Sequence, residues 1–249
     1  MPFDFDLDAM ALKTGISTDR LSANLSAYEA MSRLFPMLEA AGCAVGLFGG
    51  TALNKIYFGK LQRLSYDIDI FSYSMEKAML AMKSEGAIVR YSGRMPANQK
   101  GVSVKMDYLG ISVDLVASSF RERPAKMQAY DLLYYYGLPM PPIVVPSYTL
   151  EFLLAEKTIA LIERNELKDI YDVWVGRSLV KDPAKYARLL TAASRRHGIR
   201  DIKSFSLAQI ENMLSNSAYY ENRSIEAAGR ATASTMLKDI MAFISSAVE

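Results

Sequence analysis

The chain has one cysteine, one histidine and no long apolar run. A lone cysteine, Cys43, excludes an intrachain disulfide and a cysteine-rich zinc site. Its place just before an apolar segment reads as inert packing. A lone histidine, His197, sits in a basic segment, so Ser-His-Asp or Cys-His catalysis would depend on that one group. No stretch approaches the ~18 apolar residues of a membrane span, and the N-terminus lacks a basic segment followed by an apolar one, so the expected location is cytoplasmic and reduced, away from membranes. Strong charge of one sign is missing too. The formal net charge of +2 is too small to announce a nucleic-acid binder from bulk charge.

What is present is enough apolar material for a sizeable core: 51% of 249 residues, with the 14 methionines read as adaptable filling. The pattern predicts a helix capped by Thr18 or Asp19 and running to about Ala41, bent or divided by Pro36. Strands are expected near 43–48, 66–71, 86–91, 102–108 and 111–117, with helices near 50–57 and 75–84. Gly137-Leu-Pro-Met-Pro-Pro142, with Pro146 beyond, marks the clearest boundary. After it helical periodicity dominates, near 147–163, 167–179, 183–196, 206–215 and 223–247. The expected organisation is α+β: a lobe over 1–146 with a mixed sheet, flanking helices and an N-terminal helix, then a helical lobe over 147–249.

Chemistry concentrates at residues 49–69. An apolar run, Ala44–Phe48, leads into Gly49-Gly50, where the backbone can turn sharply before Thr51 opens a helix whose free N–H groups suit phosphate oxygens. Asp67 and Asp69 follow on a predicted strand, one face apart from Ile68 and Ile70 and separated by about 7 Å. Two carboxylates on one side can hold a hard cation such as Mg2+, which prefers oxygen ligands together with a substrate's phosphates. No Gly-Lys-Ser/Thr closes a Walker loop here. Asp4, Asp6 and Asp8 alternate in the same way but lack the glycine turn and read as an acidic tail or edge strand.

Gly49-Gly50-Thr51-Ala52-Leu53, followed by Arg63-x-Ser65-x-Asp67-Ile68-Asp69, resembles the first motif of the AbiEii/AbiGii toxin family of nucleotidyltransferases, which has a DNA polymerase β-like fold. Glu156-Lys157-x3-Leu161-x2-Arg164-x3-Lys168-Asp169-Ile-Tyr-Asp172 resembles that family's helical motif. The resemblance covers roughly residues 40–175. One departure is Lys168, where the family usually has arginine; lysine keeps the charge but loses the bidentate fork.

The resemblance implies metal-dependent transfer of an NMP group from an NTP, with Mg2+ or Mn2+ as cofactor. It also implies a third carboxylate on a neighbouring strand. Asp107 and Asp114 are the candidates, on two strand-like runs joined as a hairpin through Leu109-Gly110. Asp114 is favoured because a charge inside an apolar strand needs a cation or partner. Lys105 either points into the site or is solvated. Asp67, Asp69 and Asp114 would bind the metal, with Asp114 as the base for the attacking hydroxyl. Gly49, Gly50 and Thr51 would meet the outer phosphates, and Arg63 with Ser65 would brace the phosphates or the strand. Lys157 and Arg164, seven apart on one helix face, would reach the nucleotide, with Asp169 positioning Lys157 or the acceptor. An inter-helix salt bridge from Lys157 or Arg164 to Asp169 is the plainer alternative.

In the resembling family such enzymes are toxins of toxin–antitoxin systems, some modify the acceptor end of tRNA, and the partner antitoxin is typically a winged-helix protein. Two segments of this chain are candidates for contact with RNA: Lys181–Lys203, with seven basic and two acidic residues, and Arg121, Arg123 and Lys126 followed by Tyr130 and Tyr134–Tyr136. Two rivals remain open at this point. One is a metal-dependent nuclease or phosphohydrolase using the same carboxylates; the other is a non-catalytic NTP-binding interaction module.

Overall fold

The computed structural model describes residues 6–94, 102–118, 120, 122–215 and 232–247. Among these, a seven-stranded mixed sheet forms the centre. Its strands are β1 (Val45–Phe48), β2 (Asp67–Ser72), β3 (Ile88–Arg94), β4 (Val102–Tyr108), β5 (Ile111–Ala117), β6 (Ala125–Ala129) and β7 (Ile143–Ser147), in spatial order β3-β4-β5-β2-β1-β7-β6. The pairs β2–β5 and β1–β7 are parallel and the rest antiparallel. Helices α1 (Leu7–Thr14), α2 (Thr18–Ala40) and α4 (Met75–Ser84) accompany the strands, and α3 (Gly49–Ala52) continues into a π-helical turn over Leu53–Phe58. After the last strand come α5 (Leu150–Arg164), α6 (Leu167–Arg177), α7 (Pro183–Arg196), α8 (Ile202–Ser215) and α9 (Ala233–Ala247).

Alternation along β2 and β5 sets the two faces of the sheet. Ile68, Ile70, Val113 and Leu115 are fully buried and share one core with Leu34, Leu38, Ala78 and Met82 of α2 and α4. Each of these Val, Leu, Ile and Met side chains contributes roughly 1.5–3 kcal/mol by leaving water. The opposite face carries Asp67, Asp69 and Asp114. Farther along β2 on that second face lies Phe71, whose ring centroid is 4.6 Å from Phe120, itself 5.2 Å from Phe152 of α5. Tyr148 packs against Phe152 at 4.8 Å. These aromatic contacts dock α5 on the acidic side of the sheet, which brings Lys157 within electrostatic reach of Asp69.

Several sequence expectations change. Asp6 is the N-cap of α1, accepting from the Ala9 amide at 3.0 Å, and Asp8 accepts from Thr18 Oγ1 at 2.9 Å, so this stretch is helical rather than an edge strand; Asp4 lies outside the described residues. Helix α2 starts at Thr18 after Ser17 and runs through Pro36 undivided. Strands β6 and β7, not expected from sequence, flank the Gly137–Pro142 stretch, and Pro146 lies inside β7. Leu109 and Gly110 both take positive φ, 54° and 79°, and close the expected hairpin. The early part of the helix expected over 223–247, and Arg121, fall outside the described residues.

Candidate active site

Gly49 ends β1 with φ +71°, a left-handed conformation suited to glycine. A Cβ there would overlap Asp69 Oδ2. Gly50 has its own reason to lack a side chain, since a Cβ would overlap the Arg63 guanidinium and crowd Asp172. The two glycines therefore bring the backbone against both halves of the site. On the π-helical turn, Asn54 donates to Gly50 O at 2.7 Å and accepts from the Arg63 amide at 2.7 Å, which fixes the turn to the segment that leads into β2.

Thr51 Oγ1 donates to the Asp67 carbonyl at 2.8 Å and lies 2.5 Å from Ser65 Oγ. With its only proton committed to Asp67, Thr51 accepts from Ser65. Both hydroxyls are buried, so this pair braces the acidic strand from behind. A second buried group supports the same segment. Lys55 Nζ lies 2.6 Å from Asp131 Oδ2 and 2.9 Å from Asn24 Oδ1, and Asn24 Oδ1 also accepts from the Ser65 amide at 3.2 Å.

Asp69 and Asp114 are register partners on parallel neighbours, with Asp67 opposite Ser112 on the same face. Asp107 lies one strand farther out. It pairs with Arg90 at 2.8 Å and accepts from the Gly110 amide at 3.0 Å, a surface turn contact. Lys105 stands opposite Asp114, half exposed, with Nζ 3.5 Å from Asp114 Oδ2. Asp69 keeps partial solvent contact by area but its carboxyl lies deep among neighbouring atoms. Burial, then Asp67 and Asp114, push its pKa up to about 7, against the opposing fields of Lys157 and Arg164.

Across from these acids lies a buried ionic network. Arg63 clamps Asp172 bidentately, Nε to Oδ1 at 2.8 Å and Nη2 to Oδ2 at 2.7 Å. Lys157 Nζ lies 2.5 Å from Asp169 Oδ1 and 3.0 Å from Asp172 Oδ2. Arg164 donates to both oxygens of Asp169, at 3.2 and 3.0 Å. Both aspartates are fully buried while the Arg164 side chain is 47% exposed. Burial would raise the Asp172 pKa, but Arg63 and Lys157 outweigh it and hold the carboxyl below its usual range. Three cations against two carboxylates leave an excess positive charge that faces the acids of β2 and β5. The inter-helix salt bridges considered from sequence, from Lys157 and Arg164 to Asp169, are therefore formed. Lys168, the departure from the family pattern, pairs with Glu166 at 2.9 Å on the surface and takes no part.

Sequence reasoning placed Gly49, Gly50, Thr51, Arg63, Ser65, Asp67, Asp69, Asp114, Lys157, Arg164 and Asp169, and all of them fall in or beside this one region. It passed over Asp172 as a site residue although the three-residue spacing from Asp169 puts both on one helix face. Asn24, Asn54, Lys55 and Asp131 left no comparable signal. His197 contacts Glu163 at 3.0 Å on the α5–α7 seam. Among the described residues, no group of three or more His, Cys, Asp or Glu side chains is placed to hold a metal ion by itself, and no helix is long and apolar enough to cross a membrane.

The fold resembles that of MenT4, a nucleotidyltransferase toxin from Mycobacterium tuberculosis, with TM-score 0.58 and 14% identity over 96% of this chain and 88% of that one. It also resembles JHP933 from Helicobacter pylori, with TM-score 0.50 and 14% identity over 90% of this chain and 91% of that one. No curated protein matches the sequence. Residues 43–246 match the family described as nucleotidyl transferase AbiEii toxin, type IV TA system. The chain belongs to this family of nucleotidyltransferase toxins.

Proposed function

We propose that the chain moves an NMP group from an NTP to a hydroxyl of RNA, tRNA included, with Mg2+ or Mn2+ at Asp67, Asp69 and Asp114. The observation that carries this reading is the register pairing of Asp69 with Asp114 beside the Gly49 turn. The donor set fits the ion: it is all oxygen, and Asp69 in particular is a crowded carboxyl that a divalent charge would keep ionised. An incomplete protein ligand set suits Mg2+, which is held by one or two carboxylates with phosphates and water completing the shell. When bound, the ion would polarise the α-phosphoryl oxygens and offset developing charge.

The chain's own residues supply the rest. Amides at Gly49 and Gly50 meet phosphate oxygens where the backbone comes closest. Thr51, itself bonded by Ser65, holds the Asp67 carbonyl and so fixes the height of the acidic strand, a bracing role rather than direct phosphate contact. Asp114, on the strand beside Asp69, takes the proton of the attacking hydroxyl. Lys157 and Arg164 offset triphosphate charge, and Asp169 keeps both in place, while Arg63 acts through Asp172. The division at residue 146 into a sheet lobe and a helical lobe belongs to the same reading, with the nucleotide between them. The family implies an antitoxin partner; we take it to be a winged-helix protein, and the setting to be the cytoplasm.

The test is incubation with each α-labelled NTP, Mg2+ and total RNA, comparing wild type with Asp69→Asn. Label on RNA from wild type only supports the reading. Label on protein alone, or cleavage of RNA without label, contradicts it.

A further inference from the structure

We propose that Lys181, Arg188, Arg195 and Arg200 form a track for the phosphodiester backbone of the RNA acceptor, running from the cleft along the outer face of α7. This deepens the reading above and rests on its RNA acceptor. Of the seven basic residues in 181–203, three are tied down. Lys185 reaches Thr149 Oγ1 at 3.1 Å and Glu122 at 3.7 Å, Arg196 pairs with Glu156 and lies over Phe120 at 4.8 Å, and Lys203 has its own interaction. The other four are exposed and make no ion pair or side-chain hydrogen bond among the described residues. The two acids of the segment are committed to backbone amides, Asp182 at Lys185 and Asp201 at Ser204.

Helix geometry lines the free cations up. Arg188 and Arg195 are seven residues apart, on nearly one line and about 10 Å from each other. Tyr186, Leu190 and Ala193 on the opposite side are fully buried. Lys181 precedes the helix and Arg200 follows it, both exposed. Helix stability does not explain this arrangement. Cations near the C-terminus favour the helix dipole, but Lys181 stands at the positive end and Arg188 in the middle, where the dipole gives nothing. Helix α7 contains no acidic residue that would make the face a solvated mixture of charges.

The track also leads to the right place. His197 meets Glu163 at 3.0 Å and Arg196 meets Glu156, so the C-terminal end of α7 adjoins the part of α5 that carries Lys157 and Arg164. On this proposal, the phosphates that follow an RNA end held at the acids would pass the C-terminal end of α7 and meet Arg195 before Arg188. The other basic and aromatic segment lacks this freedom: Arg123 lies over Tyr73 at 4.3 Å, Lys126 pairs with Glu39 at 2.5 Å, and Tyr130, Tyr134 and Tyr135 pack on one another.

The test uses the full chain and a fluorescent RNA hairpin with a single-stranded 3′ end. Anisotropy titrations across a salt series compare wild type, the triple variant Lys181→Gln/Arg188→Gln/Arg195→Gln, and a control triple, Lys60→Gln/Lys77→Gln/Lys83→Gln, with the same loss of charge; melting temperature reports on folding. The track predicts at least tenfold weaker binding and a salt slope shallower by about 2–3 for the first triple only. Equal weakening by both triples, or none by either, overturns it. Loss of binding to anionic lipid vesicles with RNA binding unchanged also overturns it. Label transfer from NTP is read on the same samples. If wild type transfers no label yet the first triple alone loses RNA binding, the transfer reading fails and the track stands.

Discussion

The Cα of Gly49 rests against the carboxyl of Asp69, so that the turn leaving β1 and the acid on β2 occupy contiguous space with no room for a methyl group between them. Two demands meet at one residue: a positive φ of +71° and this close approach. Gly49→Ala is expected to cost roughly 2–4 kcal/mol in stability, from left-handed backbone strain and overpacking together. It should also displace Asp69 and remove transfer activity. Urea unfolding alongside the label assay checks both, and an active Gly49→Ala enzyme would show that the contact is dispensable.

Asp69 predicts an unusual pH dependence for the protein without cation. Its pKa rises from 3.8 to about 7 in the fold, so the folded state holds the proton more tightly than the unfolded chain does. The stability this confers is complete below about pH 4 and fades as pH climbs through 7. Asp69→Asn removes the charge and should be more stable than wild type at pH 8 in EDTA, by up to a few kcal/mol at about 1.4 kcal/mol per pKa unit, while losing activity. Urea midpoints at pH 5 and pH 8 for both proteins measure this. Parallel pH profiles would contradict it.

Asp172 holds Arg63 and Lys157 together with no exposure to water. Asp172→Asn leaves two buried cations short of a counter-charge and should destabilise by about 3–5 kcal/mol. Lys105→Ala, by contrast, removes a half-exposed pair with Asp114 and should change stability by no more than about 1 kcal/mol. Equal effects of the two substitutions in chemical denaturation would show that the buried network does not support the fold.

Thr51 and Ser65 share one hydrogen-bonded chain ending at the Asp67 carbonyl. Ser65→Ala and Thr51→Val should each cost on the order of 1 kcal/mol, and the double variant less than their sum. Additive losses in a double-mutant cycle would indicate that the two hydroxyls act separately.

Much of this site was legible because its parts lie close in sequence. Gly49-Gly50 and Asp67-Ile68-Asp69 declare a turn and a two-faced strand by local chemistry alone, and the same alternation marks Asp114. Strands β6 and β7 were not legible. The β6 sequence Ala-Lys-Met-Gln-Ala has no β-branched residue, and Pro146 argues against a sheet interior. The sheet admits β7 because its pairing with β1 is limited to Leu47 opposite Ser147, where Ser147 Oγ bonds the Leu47 carbonyl at 2.9 Å. The partnership of Arg63 with Asp172, 109 residues away, is set by how α6 packs beside the π-helical turn over Leu53–Phe58, where Asn54 also donates to Asp172 at 3.3 Å, which no local pattern encodes.

The central claim is that Asp69 and Asp114, with Asp67, hold one divalent cation beside the Gly49 turn. Mn2+ binding followed by electron paramagnetic resonance in the presence of a non-hydrolysable NTP addresses it most directly. Wild type should show a saturable site that Asp69→Asn abolishes and Asp114→Asn weakens at least tenfold, with Asp107→Asn unchanged. Binding of equal strength in wild type and Asp69→Asn would contradict the account.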